Sequence, residues 1–161
     1  MATRRHFLKS TAITAAGLGI APAISGNILK PPASDRINIG LIGCNGMGFS
    51  NLNAFLAHPQ VECLALCDID ESVLNRRAAD VEKNRGKKPA NLYRDWRRVI
   101  DNKDINLVIV GTPDHWHCLQ MVAACEAGKD VYCEKPLGRT IGECNLMIQA
   151  AKKNKSVVQV G

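Results

Sequence analysis

INIGLIGCNGMGFSN, residues 37–51, joins an apolar run to a cluster of glycines and then to a stretch of helical composition. The first seven residues carry aliphatic side chains toward both faces, the pattern of a strand buried on each side. The run stops at Gly43, and residues 47–58 read as a helix that Pro59 ends. A turn of this kind between strand and helix calls for glycine where the chain bends tightly, where the backbone must approach a phosphate, and where helix and strand pack closely. In the usual G-x-G-x-x-G frame the glycines fall at 43, 45 and 48. Here those positions hold Gly43, Asn45 and Gly48, with an extra Gly46 followed by Met47. Asn is the non-glycine residue that best tolerates positive φ, so the frame is expected to survive the departure at 45.

Outward from this turn the chain alternates short apolar runs with helical stretches. VECLALCD (61–68) reads as a second strand, on which Cys63 and Cys67 share one face and therefore the core. Residues 71–85 form a charged helix closed by Gly86, and LY near Tyr93 is a short third strand. Asp95 can cap a helix reaching about residue 102. NLVIVGT (106–112) is a fourth strand, residues 115–127 a helix stopped by Gly128, and KDVYCE (129–134) a fifth strand. Thr140 can cap a helix to about residue 154, and SVVQVG (156–161) is a sixth strand. Strands alternating with helices imply an α/β fold. It is a doubly wound, Rossmann-like parallel sheet covered on both faces, with right-handed crossovers and strand order 3-2-1-4-5-6.

In that fold an anion rests on the free N–H groups where the first helix begins. An acid at the end of the second strand, about 20 residues on, bonds ribose hydroxyls. Asp68 stands at that place. Its charge would repel a 2′-phosphate, which favours NAD. Arg76 and Arg77 on the following helix leave NADP open.

The chain has 161 residues, 46% of them hydrophobic, which suits one domain with a real core. Its net charge is +6, and Arg4, Arg5 and Lys9 supply half of that excess ahead of the first acid, Asp35. Elsewhere cations and acids interleave and aromatics are only 4%, so no basic-aromatic stripe points to nucleic acid. TRRHFLKS, followed by TAITAAGLGIAPAISG and its Ala21-Pro22-Ala23, reads as a signal peptide over about residues 1–30. The run is too short and too rich in Gly and Ala to span a membrane. Arg4-Arg5 with Phe7, Leu8 and Lys9 resembles the twin-arginine motif. That implies the twin-arginine export machinery as a partner, export after folding, and a periplasmic or other extracytoplasmic location. KPPASD (30–35) is a Pro-rich linker, and the domain proper runs over 36–161.

TPDHWH (112–117) follows the fourth strand. Pro113 stops the strand, Asp114 can cap the next helix, and loops at strand C-termini border the ligand crevice. His115 and His117 accordingly lie near the cofactor, or are surface residues at a helix N-terminus. No cysteine pair or third ligand has zinc spacing, so no metal is expected. VYCEKPLGRT (131–140) then puts Lys135 between an acid and a proline at the end of the fifth strand.

The glycine turn, CDID, TPDHWH and EKPLG together resemble the Gfo/Idh/MocA oxidoreductases, which include glucose–fructose oxidoreductase and inositol dehydrogenase, over residues 37–161. The resemblance implies that Gly43, Asn45, Gly46, Met47, Gly48, Asp68, Thr112, Pro113, His117, Glu134, Lys135 and Pro136 surround a nicotinamide dinucleotide. It also implies that Lys135 is the catalytic residue, orienting a sugar or polyol hydroxyl and assisting its proton transfer, and that the Lys135–Pro136 bond is cis. Family members carry a second α/β domain that binds the substrate. No counterpart is present in these 161 residues, so the expectation is the cofactor half of a longer enzyme. The alternatives are an NAD-dependent glycoside hydrolase of the same superfamily and a non-catalytic cofactor-binding remnant. The seven cysteines form no CxxC pair, and their odd number argues against a full disulfide framework. Cys44, inside the phosphate turn, is expected to pack rather than react.

Overall fold

The computed structural model describes residues 35–161. The segment read as a twin-arginine signal and most of the linker fall outside the described residues. One six-stranded sheet, all parallel, runs in the order β3-β2-β1-β4-β5-β6. Its elements are β1 (Ile37–Ile42), α1 (Gly46–Leu56), β2 (Val61–Cys67), α2 (Glu71–Arg85), β3 (Asn91–Tyr93), α3 (Arg97–Asp101), β4 (Leu107–Val110), α4 (His117–Glu126), β5 (Asp130–Cys133), α5 (Ile141–Asn154) and β6 (Val158–Val160). A single 3-10 turn, Asp114–Trp116, precedes α4. This is the strand order expected from the alternation of runs.

Each face of the sheet is covered by helices. Ile39 and Leu41 of β1 and Ile109 of β4 meet Phe49 and Leu52 of α1 and Val81 of α2 on one side. Ile42, Val108 and Val110 meet Val99 of α3, Met121 and Ala124 of α4 and Met147 of α5 on the other. Truncating a fully buried member such as Leu52 or Ile109 to Ala removes about 2–5 kcal/mol.

The strand β2 departs from simple alternation. Its register with β1 slips between Ile39 and Gly40, so that Ile39 faces Cys63 and Gly40 faces Ala65. Leu64 is the extra residue of a bulge, which moves everything after it to the opposite face. Cys63 therefore joins the α1–α2 core and Cys67 the α3–α5 core. Their expected shared face is corrected by this one residue.

Helix ends follow their chemistry. Asp70 caps α2 through Ser72 and Val73 N–H groups, and Gly86 closes it at φ +71°. Thr140 and Glu143 form a reciprocal capping box on α5. Asp95 accepts the Arg97 N–H at 3.0 Å, while α3 itself starts after Trp96. Asp114 caps nothing: it sits inside the 3-10 turn, and its carboxylate instead faces His115 at 3.7 Å. At the last strands, Ile141, Leu146 and Ile148 of α5, Val157 in the loop after it and Val160 of β6 are exposed. No described helix is long and apolar enough to cross a membrane.

Candidate dinucleotide site

The residues that follow four of the strands are pinned in a row by continuing ladder bonds. Gly43 N–H donates to the Cys67 carbonyl, Asp68 N–H to Tyr93, Gly111 N–H to Ile42, and Glu134 N–H to Val110, all at 2.8–3.1 Å. The first residue of each loop thus stands at one level along the C-terminal edge of the sheet. The crossover direction reverses between β1 and β4, which opens a crevice there.

The floor of that crevice is glycine backbone. A Cβ on Gly48 would collide with the Gly43 carbonyl oxygen, and one on Gly43 would lie 2.7 Å from the Gly111 carbonyl. A Cβ on Gly111 would lie 2.5 Å from Gly48 Cα. These three residues let β1, α1 and β4 meet main chain to main chain. Gly111 is an addition to the residues that the motifs point to. Its signal is present in the sequence, a glycine directly after an apolar strand and before Thr112. Gly46 serves differently, with φ +51° and open space around it. The position at which the frame departs, Asn45, has φ −96° in the extended region. It needs no tolerance of positive φ, so the expected reason for Asn there is corrected. Gly46, one residue later, carries that conformation.

The start of α1 differs from those of α2 and α5. Asn45 makes no side-chain cap bond, and no acid lies in the first turn. Asn45, Gly46 and Met47 are exposed. α2 and α5 spend a carboxylate or hydroxyl on their first N–H groups, whereas α1 leaves its own to an external acceptor. Next to it, Asp68 accepts Cys44 N–H at 2.8 Å on Oδ2 and Asp70 N–H at 3.0 Å on Oδ1. Each oxygen keeps a lone pair for a further donor. Cys44 itself is buried, its thiol donating to the Cys67 carbonyl at 3.3 Å, and burial pushes its pKa far up. Arg77 is committed elsewhere, 2.9 Å from Asp80 and stacked 4.2 Å over the Phe49 ring. Arg76 is exposed. Met47 and Trp116 leave large apolar surfaces on these loops, and Ile69, next to Asp68, is 80% exposed.

The second half of the crevice is built on β4 and β5. Thr112 Oγ1 donates to Gln120 Oε1 at 2.7 Å, and Pro113 is exposed beside it. Glu134 is buried: its Oε1 accepts Asn51 Nδ2 at 2.6 Å and its Oε2 accepts Lys135 N–H at 3.2 Å. Asn51 and Gln120 escape a reading of the sequence, since a polar residue inside an amphipathic helix carries no local mark of its partner. Lys135 is exposed, and its ammonium has no hydrogen-bond or ion-pair partner among the described residues. The Lys135–Pro136 bond is cis. His115 is exposed, but His117 turns inward and is only 1% exposed. Its Nδ1 lies 2.8 Å from the Pro136 carbonyl oxygen and its Nε2 2.8 Å from that of Thr112. The surface reading of His117 is thereby corrected. Among the described residues no group of three or more His, Cys, Asp or Glu could hold a metal ion. A groove of about 340 Å³ at the opposite edge of the sheet includes Arg36, Glu62, Arg85 and Lys87 in its lining. Lys87 and Arg36 are paired there with Glu62, and Arg85 holds two carbonyls.

Residues 37–161 match the Gfo/Idh/MocA family model, an oxidoreductase family with an NAD-binding Rossmann fold. Among curated proteins, the chain is 31% identical over 172 residues to an alpha-N-acetylgalactosaminidase of Shewanella oneidensis. It is 30% identical over 171 residues to a glycosyl hydrolase family 109 protein of Shewanella sp. strain W3-18-1. Each alignment takes in 94% of this chain and 37% of the relative, so the chain spans little more than a third of their length. Among solved structures, levoglucosan dehydrogenase in complex with NADH is 34% identical with a TM-score of 0.66, covering 78% of this chain and 34% of that one. An NAD-binding oxidoreductase from Klebsiella pneumoniae is 32% identical with a TM-score of 0.69, at the same coverage of each chain.

Proposed function

The chain belongs to the Gfo/Idh/MocA oxidoreductase family, and from that premise we propose that it presents Lys135 to a sugar or polyol hydroxyl whose carbon exchanges hydride with a bound nicotinamide. The observation that carries the reading is the pairing of an uncapped α1 N-terminus with a glycine floor that leaves no room for Cβ atoms. The residues present fit a dinucleotide. Asn45, Gly46 and Met47 offer N–H groups to the pyrophosphate, and Gly43 and Gly48 admit its close approach. Asp68 accepts from ribose hydroxyls, and Thr112 and Pro113 border the path toward β5. Asp68 and the commitment of Arg77 to Asp80 and Phe49 favour NAD over NADP. The bound nicotinamide supplies a two-electron hydride acceptor or donor. Lys135 hydrogen-bonds the substrate oxygen, orients the carbinol and polarises it, while Glu134 and Pro136 fix the main chain on either side of it.

A second reading is favoured by the curated relatives: a glycosidase that uses the same hydride step transiently and regenerates its cofactor. Both readings share this domain, which corresponds to 37% of the length of the curated relatives. Net NADH formation from a sugar supports the dehydrogenase; aglycone release without net NADH supports the glycosidase. The twin-arginine segment at Arg4-Arg5 supports delivery of the folded chain to the periplasm.

Titration of the purified chain with NADH and with NADPH tests the core of the proposal. Saturable binding with NADH the tighter ligand is expected. A folded chain that binds neither would remove it.

A further inference from the structure

His117 follows the loop that borders the cofactor crevice, but its ring is buried and both nitrogens are spent on main-chain carbonyls. The two carbonyls belong to the two loops that matter. Thr112 lies in the loop just after β4 and opens the turn that carries Pro113 and Trp116. Pro136 follows Lys135 directly. A carbonyl oxygen only accepts, so each 2.8 Å contact is a hydrogen bond only where that ring nitrogen carries a proton, and both are bonds at once only in the doubly protonated ring. On the other side of Lys135, its N–H donates to Glu134, which in turn holds Asn51 of α1.

Lys135 is thus clamped before and after its own Cα, while its ammonium stays exposed. The preceding clamp reaches to the helix that receives the pyrophosphate, and the following clamp reaches to the end of β4.

We infer that His117 is a positioning residue for Lys135, acting through an Nδ1–H bond to the Pro136 carbonyl. This rests on the reading of Lys135 as the residue that faces the nicotinamide. A buried imidazole suits the task because its two nitrogens point in fixed, opposed directions and its ring has few rotamers to lose. Without it the loop after β5 keeps the ladder bond of Glu134 but loses its bond at the Pro136 carbonyl and the ring packed between the two loops, and the lysine side chain samples more of the crevice.

The test uses the two amides that split the imidazole. In His117→Asn the amide nitrogen stands where Nδ1 stood and can still donate to Pro136. In His117→Gln it stands where Nε2 stood and can reach the Thr112 carbonyl but not that of Pro136. Lysines are reductively dimethylated with ¹³C-formaldehyde, and the Lys135 signal is assigned by its loss in Lys135→Arg. In the wild-type chain NADH should shift that signal. In His117→Gln NADH should still bind, with the Lys135 shift lost or broadened, and His117→Asn should restore it. An undiminished shift in His117→Gln overturns the inference and leaves the Lys135 reading standing. A wild-type Lys135 signal indifferent to bound NADH removes the Lys135 reading, and the inference with it. The wild-type ring also offers a test that needs no variant. In a ¹⁵N-labelled chain His117 Nδ1 should carry a slowly exchanging proton, and a bare Nδ1 lone pair overturns the clamp.

Discussion

Cys44 donates its main-chain N–H to Asp68 Oδ2 at 2.8 Å, so the acid that ends β2 also fastens the turn that follows β1. The two jobs share one carboxylate, with one oxygen holding Cys44 and the other holding Asp70. In the proposed site, ribose binding and turn geometry would be coupled at this side chain.

Asp68→Ala should therefore weaken NADH binding more than the loss of a single surface contact would. One hydrogen bond to a charged group contributes about 1.5–3 kcal/mol, or roughly 10–100-fold in affinity. Calorimetry with NADH and NADPH reads the effect directly. The gap between the two ligands should narrow as well, because the repulsion of a 2′-phosphate disappears with the carboxylate. Unchanged NADH affinity would exclude Asp68 from the ribose site.

Two glycines separate steric crowding from backbone freedom. Gly48→Ala places a methyl group on the Gly43 carbonyl, where only main chain can yield. Such overpacking costs about 1–3 kcal/mol and should also pry α1 away from β4, lowering dinucleotide affinity. Gly46 has open space but φ +51°, a region that Asn visits more readily than Ala. Gly46→Asn should melt close to wild type and Gly46→Ala somewhat lower, whereas Gly48→Asn should be as damaging as Gly48→Ala. Thermal melts of the four variants decide the matter. Equal tolerance of Ala at 46 and 48 would contradict the glycine-floor account.

Much of this architecture is legible in the residues. The aliphatic runs at 37–42 and 107–110 have no polar face, which forces them into the centre of a parallel sheet, and their neighbours follow in sequence order. Thr140 with Glu143, and Gly86 after a charged helix, announce helix ends through local chemistry alone. What stays hidden depends on distant partners. The bulge at Leu64 exists only against β1, so the separation of Cys63 and Cys67 could not be read from β2 by itself. His117 looks like a surface residue until the Pro136 carbonyl is brought beside it. Asn45 occupies a glycine position of the motif, yet the turn shifts its positive φ to Gly46. In each case tertiary pairing overrides a local rule.

The cysteines should be mostly inert in the folded chain. Burial is the first cause in each case. It pushes Cys63, Cys67 and Cys133 up to about 12 and Cys44 higher, with Asp68 adding to the effect at Cys44 and Cys67. Near neutral pH these groups hold almost no thiolate, which is the reactive form. Iodoacetamide should label the half-buried Cys118 and Cys144 first and Cys44 only on unfolding, as peptide mass spectrometry would show. The same shifts set a sign for stability. Thiols whose folded pKa lies above the ordinary 9.0 contribute fully below that pH, and the contribution is lost as pH rises from about 9 toward 12. Melting temperature should fall over that alkaline window. Labelling of Cys44 in the native chain as fast as Cys144 would refute this.

Arg4→Lys together with Arg5→Lys tests the proposed route of export. The twin-arginine reading rests on the paired guanidinium groups, so keeping the charge while changing the head group should strand the chain in the cytoplasm. Fractionation of expressing cells followed by immunoblotting measures it. Normal periplasmic arrival of the doubly substituted chain would leave the N-terminal segment as an ordinary basic start.

Lys135→Met retains the length and much of the packing of the side chain and deletes only the charged donor. Glu134 keeps its bonds to Asn51 and to the main-chain N–H of residue 135, because neither involves the ammonium. Dinucleotide affinity should therefore change little in the isolated chain. In a protein that also carries the substrate domain, kcat should collapse while KM moves less, since in the proposed site the ammonium would act on the oxygen whose charge develops as hydride leaves. Lys135→Arg keeps the charge but spreads it over a planar fork, and should recover substrate binding better than turnover. Steady-state kinetics of the three proteins, with NADH binding measured alongside, separates the roles. Turnover that survives in Lys135→Met would mean that the proton and the oxygen are handled by groups outside this domain, and that the lysine on the crevice rim serves only to attract the ligand.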